Sequence, residues 1–282
     1  MRNNELENKT VEDIKNILCN TKFVIYGAGS VGKRLLKIIE RMNIRKNLIG
    51  FAVTENKETH YMEGIPIKKI DEYDKNTLVL IAVHDVIYIE IKEVLQNKGY
   101  KHFLWVYPYF SDLCYGPIVD SDSYPTKDII SNLDKVYSHV LIALVIEECL
   151  GQNNVGVDIY RQYFESFCDK KTANARTKSL IDRINKASGN GFNLNTNIET
   201  SKDMKVVLDG AHRLMLTHYF GNKNILVNIR EAECDEYYKL VDFALTKNKL
   251  SQLFNPSQVK QILDMDDRLR KGYEITRNIC SL

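Results

Sequence analysis

The run Asp209-Gly210-Ala211-His212-Arg213 gathers the side chains best placed to do chemistry in this chain. The apolar stretch Val206-Val207-Leu208 precedes it, and Leu214-Met215-Leu216-Thr217-His218-Tyr219-Phe220 follows, closed by Gly221. That order predicts strand, tight turn, helix and a glycine stop. His212 and Arg213 then fall in the first turn of a helix. Unpaired backbone N–H groups and the positive end of the dipole favour a bound anion there. The phosphate of a nucleotide or of a phosphorylated metabolite suits such a corner, with the backbone at Gly210 close to it. A blander role is open to each residue. Asp209 in an Asp-Gly turn can stabilise the turn through local hydrogen bonds, and His212 can bond a carboxylate.

A second glycine turn lies near the N-terminus. Gly27-x-Gly29-Ser30-x-Gly32 follows the short β-type run Phe23-Val24-Ile25-Tyr26 and opens a helical stripe through Leu35, Leu36, Ile38, Ile39 and Met42. Glycines at this spacing let the backbone turn sharply and approach a pyrophosphate at the helix start. A dinucleotide site also needs an acidic residue after the second strand to hold a ribose, and Glu55 stands in that region. The segment has no room for the second half of a full dinucleotide fold, which argues against hydride transfer. The alternative is that the glycines only allow close packing of helix on sheet.

The elements that must carry these turns follow from periodicity. Apolar runs at Leu48 to Val53, Ile65 to Ile67, Leu78 to Val83 and Phe103 to Val106 alternate with helical spacing at Ile87, Ile91, Val94 and Leu95. This predicts a small doubly wound parallel sheet over residues 1–115. Pro108 to Pro125 holds Gly, Pro, Ser and Asp and is expected to be a linker. Ile129 through Leu144 forms one long helical stripe, so residues 116–150 are assigned to linker and connecting helix. Residues 151–282 form the second domain. Tyr160, Tyr163, Phe164 and Phe167 recur at helical spacing and are expected in the core rather than as a stacking ladder for a ligand. A helix bearing Leu180, Ile181 and Ile184 ends at Gly189-Asn190-Gly191, a short strand runs from Leu194 to Ile198, and another covers Ile225 to Ile229. Beyond Cys234 the chain reads as helical, with a break at Asn255-Pro256.

Composition narrows the function classes. A length of 282 residues suits two domains. Lys and Arg total 39 against 37 Asp and Glu, a net charge of +2, and the basic residues are scattered, so no nucleic-acid partner is expected. Six Cys and six His stand apart without zinc spacing or a disulfide framework. The first residues hold no apolar signal-peptide stretch, and the longest apolar run, Val140 to Ile146, falls well short of the ~20 residues of a membrane span. The expectation is a cytoplasmic protein acting on a small molecule, without a membrane partner; a homo-oligomer is left open.

Two resemblances add to this. Gly27 to Gly32, Gly50-Phe51, Gly64-Ile65-Pro66 and Ile81-Ala82-Val83 resemble the Rossmann-like N-terminal domains of sugar-modifying enzymes from bacterial surface-polysaccharide pathways, which implies a nucleotide-sugar at the first domain. Residues from Leu180 to Ile229 resemble the ParB/sulfiredoxin fold, an α+β domain here expected with flanking helices. Sulfiredoxins carry a reactive Cys before the His-Arg pair; Ala211 stands there, which argues against peroxiredoxin repair. The partitioning branch has Gly-Glu-Arg-Arg; His212 replaces the Glu, which disfavours DNA clamping. Asp209-Gly210-x-His212-Arg213 is most similar to the free-serine kinases. That likeness implies ATP or another nucleoside triphosphate with Mg²⁺, His212 and Arg213 cradling phosphate with Arg213 as a bidentate clamp, and Asp209 positioning the metal or the turn. The function it implies is phosphorylation of a small hydroxylated metabolite or sugar in surface-polysaccharide synthesis. A proton-accepting carboxylate is also required, and Glu199, Asp203, Glu165 and Asp158 are open candidates. A non-catalytic nucleotide-sugar sensor and a nucleotide-hydrolysing switch are the competing functions.

Overall fold

The protein was analysed as a computed structural model that describes residues 9–55, 60–134, 136–190, 197–221, 223–241 and 244–272. It divides into two compact units, Met1–Gly116 and Pro117–Leu282. Both are mixtures of helix and strand, one built on a six-stranded mixed sheet and the other on a four-stranded sheet.

In the first unit, α1 (Val11–Asn20) and β1 (Phe23–Tyr26) lead through the first glycine turn into α2 (Ser30–Arg41). Then follow β2 (Leu48–Val53), β3 (Tyr61–Met62), β4 (Ile65–Lys69), β5 (Leu78–Ile81), α3 (Asp85–Asn97), β6 (Phe103–Trp105) and α4 (Phe110–Tyr115). The strand order is β3-β4-β2-β1-β5-β6, with β3 alone antiparallel to its neighbour. All four residues of β1 and of β5 are buried, because side chains on both faces of these strands are covered. Val24, Tyr26, Ala52, Val79 and Ile81 pack with Ile91 and Leu95 of α3 on one face. Gly32 of α2 sits over Phe51 on the other.

The second unit begins with β7 (Ile118–Pro125), within the segment expected to be a linker. Residues 116–150 are not a connector: apart from Gly116 they supply an edge strand and two helices to this unit. β7 pairs antiparallel with β10 (Asn224–Arg230), Ser121 opposite Asn228, and the Ser121 hydroxyl donates to the Asn228 side chain at 2.8 Å. Its Ser and Asp residues have little strand preference of their own, so the strand exists through that pairing. The Asp120 and Asp122 carboxylates accept from the backbone N–H of Ser121 (2.8 Å) and Ser123 (2.7 Å). Those donors are thus satisfied along an edge that no further strand covers.

The long stripe expected through Leu144 is two helices, α5 (Thr126–Asn132) and α6 (Ser138–Cys149). Backbone donors in the break are taken by distant carbonyls: Asp134 N–H donates to Lys205 O at 2.7 Å and Tyr137 N–H to Leu245 O at 2.9 Å. From His139 to Glu147 every residue of α6 is buried, which makes it the central helix of the unit. Around it lie α7 (Gly156–Glu165), α8 (Lys170–Asn190), β8 (Ile198–Thr200), β9 (Val207–Asp209) and α9 (Ala211–Phe220), followed after β10 by α10 (Cys234–Leu240), α11 (Lys247–Leu253) and α12 (Pro256–Arg270). The sheet order is β7-β10-β8-β9, with β8 and β10 parallel. Most of the strand expected from Leu194 to Ile198 lies outside the described residues. α12 starts at Pro256 behind an Asn255–Gln258 capping box, which is the physical form of the expected break. Among the described residues no helix is long and apolar enough to cross a membrane.

The corner between α6 and α7 depends on Gly156. A Cβ there would lie 2.2 Å from Leu144 O, while Asn153 spans the corner by donating to Leu144 O (3.0 Å) and accepting from Gly156 N–H (3.2 Å). We expect Gly156→Ala to destabilise the second unit by about 1–3 kcal/mol through overpacking, seen as a lower denaturant midpoint with an unchanged m-value.

Candidate functional site

The strand–turn–helix foreseen around position 210 is present. β9 ends at Asp209, Gly210 takes φ +94°, and α9 starts at Ala211. The left-handed turn favours glycine, and a Cβ would also meet Ile198 Cγ2 at 2.8 Å and Arg213 Nε at 3.0 Å. The bare backbone at Gly210 lets the Arg213 guanidinium fold back across the turn. Nη2 donates to Asp209 Oδ2 and Nη1 to Asn197 O, both at 2.6 Å. Arg213, expected as a phosphate clamp, is therefore a brace that ties helix, turn and incoming strand together. Asp209 is its carboxylate partner.

His212 points elsewhere. Its ring lines a cleft of about 600 Å³, with Tyr160 of α7 and one side of α8 as the other walls. Tyr160 Oη and His212 Nε2 are hydrogen-bonded at 2.8 Å. Tyr160 and its neighbours Tyr163 and Phe164 are core residues, as the helical spacing predicted, but Phe167, expected with them, lies past the end of α7 and is exposed; the hydroxyl end of Tyr160 reaches the cleft. Burial holds the His212 ring down to a pKa of about 4, and the Arg183 and Arg176 guanidinium groups reinforce this against the weaker opposing pull of Asp209. The ring is neutral at pH 7.

α8 supplies the cations. Ala173, Thr177, Leu180, Ile184 and Ala187 form its buried row. Thr172, Arg176, Ser179 and Arg183 form the row one residue ahead, at i, i+4, i+7 and i+11, and all four line the cleft. Arg176 also lies over the Phe164 ring at 5.1 Å. Lys171 joins them, and Asp169 is the single carboxylate among the lining residues. Asp169 accepts from Thr172 N–H (2.9 Å) and Thr172 Oγ1 (2.8 Å), bonds that keep its carboxyl below the usual range.

The described arginines of this unit divide cleanly. Arg161 pairs with Asp158, Arg213 with Asp209 (2.6 Å), Arg230 with Glu199 (2.7 Å), Arg268 with Glu147 (2.9 Å) and Arg270 with Asp266 (2.9 Å). Arg176 and Arg183 meet no carboxylate among the described residues, and both face the cleft. Sequence reasoning missed them. The signal was their seven-residue spacing on a helix, but only the packing of α7 and α9 against α8 gives that spacing a cavity to face. Of the proton acceptors weighed from sequence, Glu199 is held by Arg230, Asp203 by the Ser201 hydroxyl and Asp158 by Arg161, and none of them, nor Glu165, lines the cleft. Among the described residues no group of three or more His, Cys, Asp or Glu is placed to hold a metal ion.

In the first unit, Gly27 and Gly32 are accounted for by packing. Gly27 has φ +112° and a Cβ would sit 2.8 Å from Ala82 O; at Gly32 it would sit 1.9 Å from Gly27 O. Gly29, the N-cap of α2, faces open space, with Ser30 exposed beside it. Glu55 is exposed just beyond the end of β2. The turn leaves β1 where the strand order reverses, the position at which parallel sheets open a crevice.

In comparisons with known proteins, no family model, curated protein or solved structure matches the chain.

The depressed His212 fixes a pH dependence. An unfolded His takes up a proton near pH 6.5, whereas the folded ring resists protonation down to about 4, so its contribution is present above 6.5 and is lost as pH falls towards 4. Buried His139, held down to about 3, acts in the same direction over a slightly wider window. We expect unfolding free energy to drop on acidification below pH 6.5, and His212→Gln to remove part of that slope, on the order of 3 kcal/mol. Chemical denaturation at a series of pH values measures it, and an unchanged slope in the variant would contradict the assignment.

Proposed function

We infer that the second unit binds a phosphorylated small molecule, of the nucleotide or sugar-phosphate class, in the cleft between α7, α8 and α9. One observation carries this: the two arginines of the described unit that lack a carboxylate partner line the same cleft as His212. Two guanidinium forks with Lys171 against one carboxylate leave positive charge that an anion neutralises, and a planar fork suits phosphate oxygens. Thr172 and Ser179 add hydroxyls along the same wall, and about 600 Å³ is room for a nucleotide-sized ligand.

A kinase acting on a hydroxylated metabolite or sugar in polysaccharide synthesis is the finer proposal. It rests on the ParB/sulfiredoxin-like resemblance to free-serine kinases, and the turn at Gly210 with His212 facing the cleft supports it. Arg176, Arg183 and Lys171 would hold the phosphates of ATP or a related triphosphate, and Asp169, the one carboxylate of the lining, would have to leave its Thr172 hydrogen bonds to accept the acceptor's hydroxyl proton. Bound Mg²⁺ would add charge neutralisation. Asp209 does not fit a cation beside His212, because Arg213 holds its carboxylate and it lies outside the cleft lining, so no step is assigned to it. For the first unit, a Rossmann-like nucleotide-sugar site rests on the open N–H end of α2 at Gly29.

Calorimetry with ATP, CTP and sugar phosphates tests the binding. Arg176→Ala and Arg183→Ala should each weaken it about tenfold or more while leaving the melting curve near native. Unaltered affinity in both would overturn the assignment. Incubation of ATP and Mg²⁺ with a panel of hydroxylated acceptors tests the kinase. Asp169→Asn keeps the helix cap and should abolish transfer. Nucleotide loss without an acceptor would favour the hydrolysing switch, and binding without turnover the sensor.

A further inference from the structure

The cleft pairs a neutral, desolvated imidazole with unpaired guanidinium groups, an arrangement that an incoming anion changes at once. His212 Nε2 is bonded to the Tyr160 hydroxyl, and its ring shares the cleft lining with Arg176 and Arg183. An imidazolium there would face two like charges without a counter-charge inside the cavity, since the one lining carboxylate, Asp169, is engaged by Thr172. The carboxylate that opposes the shift, Asp209, is shared with Arg213.

Among the described residues, the other elements packed on α9 put no carboxylate into the cleft lining. Glu147 of α6 is held by Arg268, Glu148 accepts from Val157 N–H, and Glu199 of β8 is paired with Arg230. Lys127 and Asp128 of α5 are exposed. His218, at the far end of α9, bonds Thr126.

We propose that anion capture in this cleft is coupled to proton uptake by His212, with Tyr160 as the residue that passes the change to the ligand. This rests on the cleft being the anion site. When a dianion enters, it neutralises the Arg176 and Arg183 guanidinium groups and offers the imidazolium the counter-charge that the empty cavity lacks. The ring takes one proton from solvent. Both of its nitrogens then donate, so Nε2–H must donate to the Tyr160 oxygen. The Tyr160 O–H, which serves Nε2 when the neutral ring is the Nδ1–H tautomer the proposal requires, is then released to donate into the cleft. Burial pushes the Tyr160 phenol well above its ordinary range, so it remains a neutral donor throughout. Protonation thus adds one charge and redirects one hydroxyl towards the guest. Affinity rises as pH falls and levels off above the pKa of the bound ring.

The test uses the full chain and sodium sulfate, which stays a dianion across the range, so that any proton taken up belongs to the protein. The imidazole Cε1–H signals are followed by NMR from about pH 8 to about pH 5, with the His212 signal identified by its loss in His212→Gln. Without sulfate the ring should stay neutral across this range. With saturating sulfate its midpoint should rise by about two pH units, into this range, and sulfate affinity should strengthen by up to about tenfold for each unit gained. In His212→Gln that pH dependence should vanish. If the Arg176 and Arg183 signals move with sulfate while His212 stays neutral, or if His212→Gln keeps the pH dependence, the coupling is wrong and the cleft assignment stands. If no cleft signal moves, both fall.

Discussion

The second unit is organised around positive charge that the fold leaves without a partner. The exposed Arg176 and Arg183 project from one side of α8 beside a half-buried ring that desolvation keeps neutral and their charge reinforces in that state. Unpaired guanidinium groups are tolerable only because the cleft admits water, and each adds to the cost of protonating His212. The same two residues therefore set the charge of the cavity lining and add to the shift of the histidine within it.

The remaining arginines show what the alternative looks like. Arg230 is buried and meets Glu199, while Glu147, enclosed in the central helix, pairs with Arg268. Losing Arg268 would take this partner from the buried Glu147, and the two pairs tie β8 to β10 and α12 to α6. Arg213 belongs with them. Its fork spans Asp209 and Asn197 O across a glycine whose missing side chain makes room, which turns a motif suggestive of ligand binding into a hinge-free corner. That corner holds His212 at a fixed angle to Tyr160. The cationic lining on α8 and the positioning of His212 by the turn at Gly210 come from separate neighbouring elements.

The two glycine turns invite comparison. At Gly27 and Gly32 the glycines serve contact between backbone segments, with approach distances that exclude any side chain, and Gly29 alone is left without a packing duty. At Gly210 the glycine serves both a left-handed turn and the fold-back of Arg213. In each case a short strand is followed by a helix whose N-terminus is set by the turn, and local sequence is enough to build that unit. Neither turn by itself decides which side chains meet a guest.

The sequence alone determined the local pieces. Four-residue apolar runs, glycine at the left-handed position and helical spacing after it specified β1–α2 and β9–α9, because backbone freedom and burial of one face are short-range properties. The same spacing placed Tyr160, Tyr163 and Phe164 inside. Only tertiary structure decided the rest. β7 is a strand because β10 lies beside it, and α5 parts from α6 because Asp134 and Tyr137 find carbonyls far along the chain. Arg213 and Arg176 are indistinguishable as letters. What separates a brace from a binding group is whether a carboxylate lies within reach, and that distance is set by how helices distant in sequence pack together.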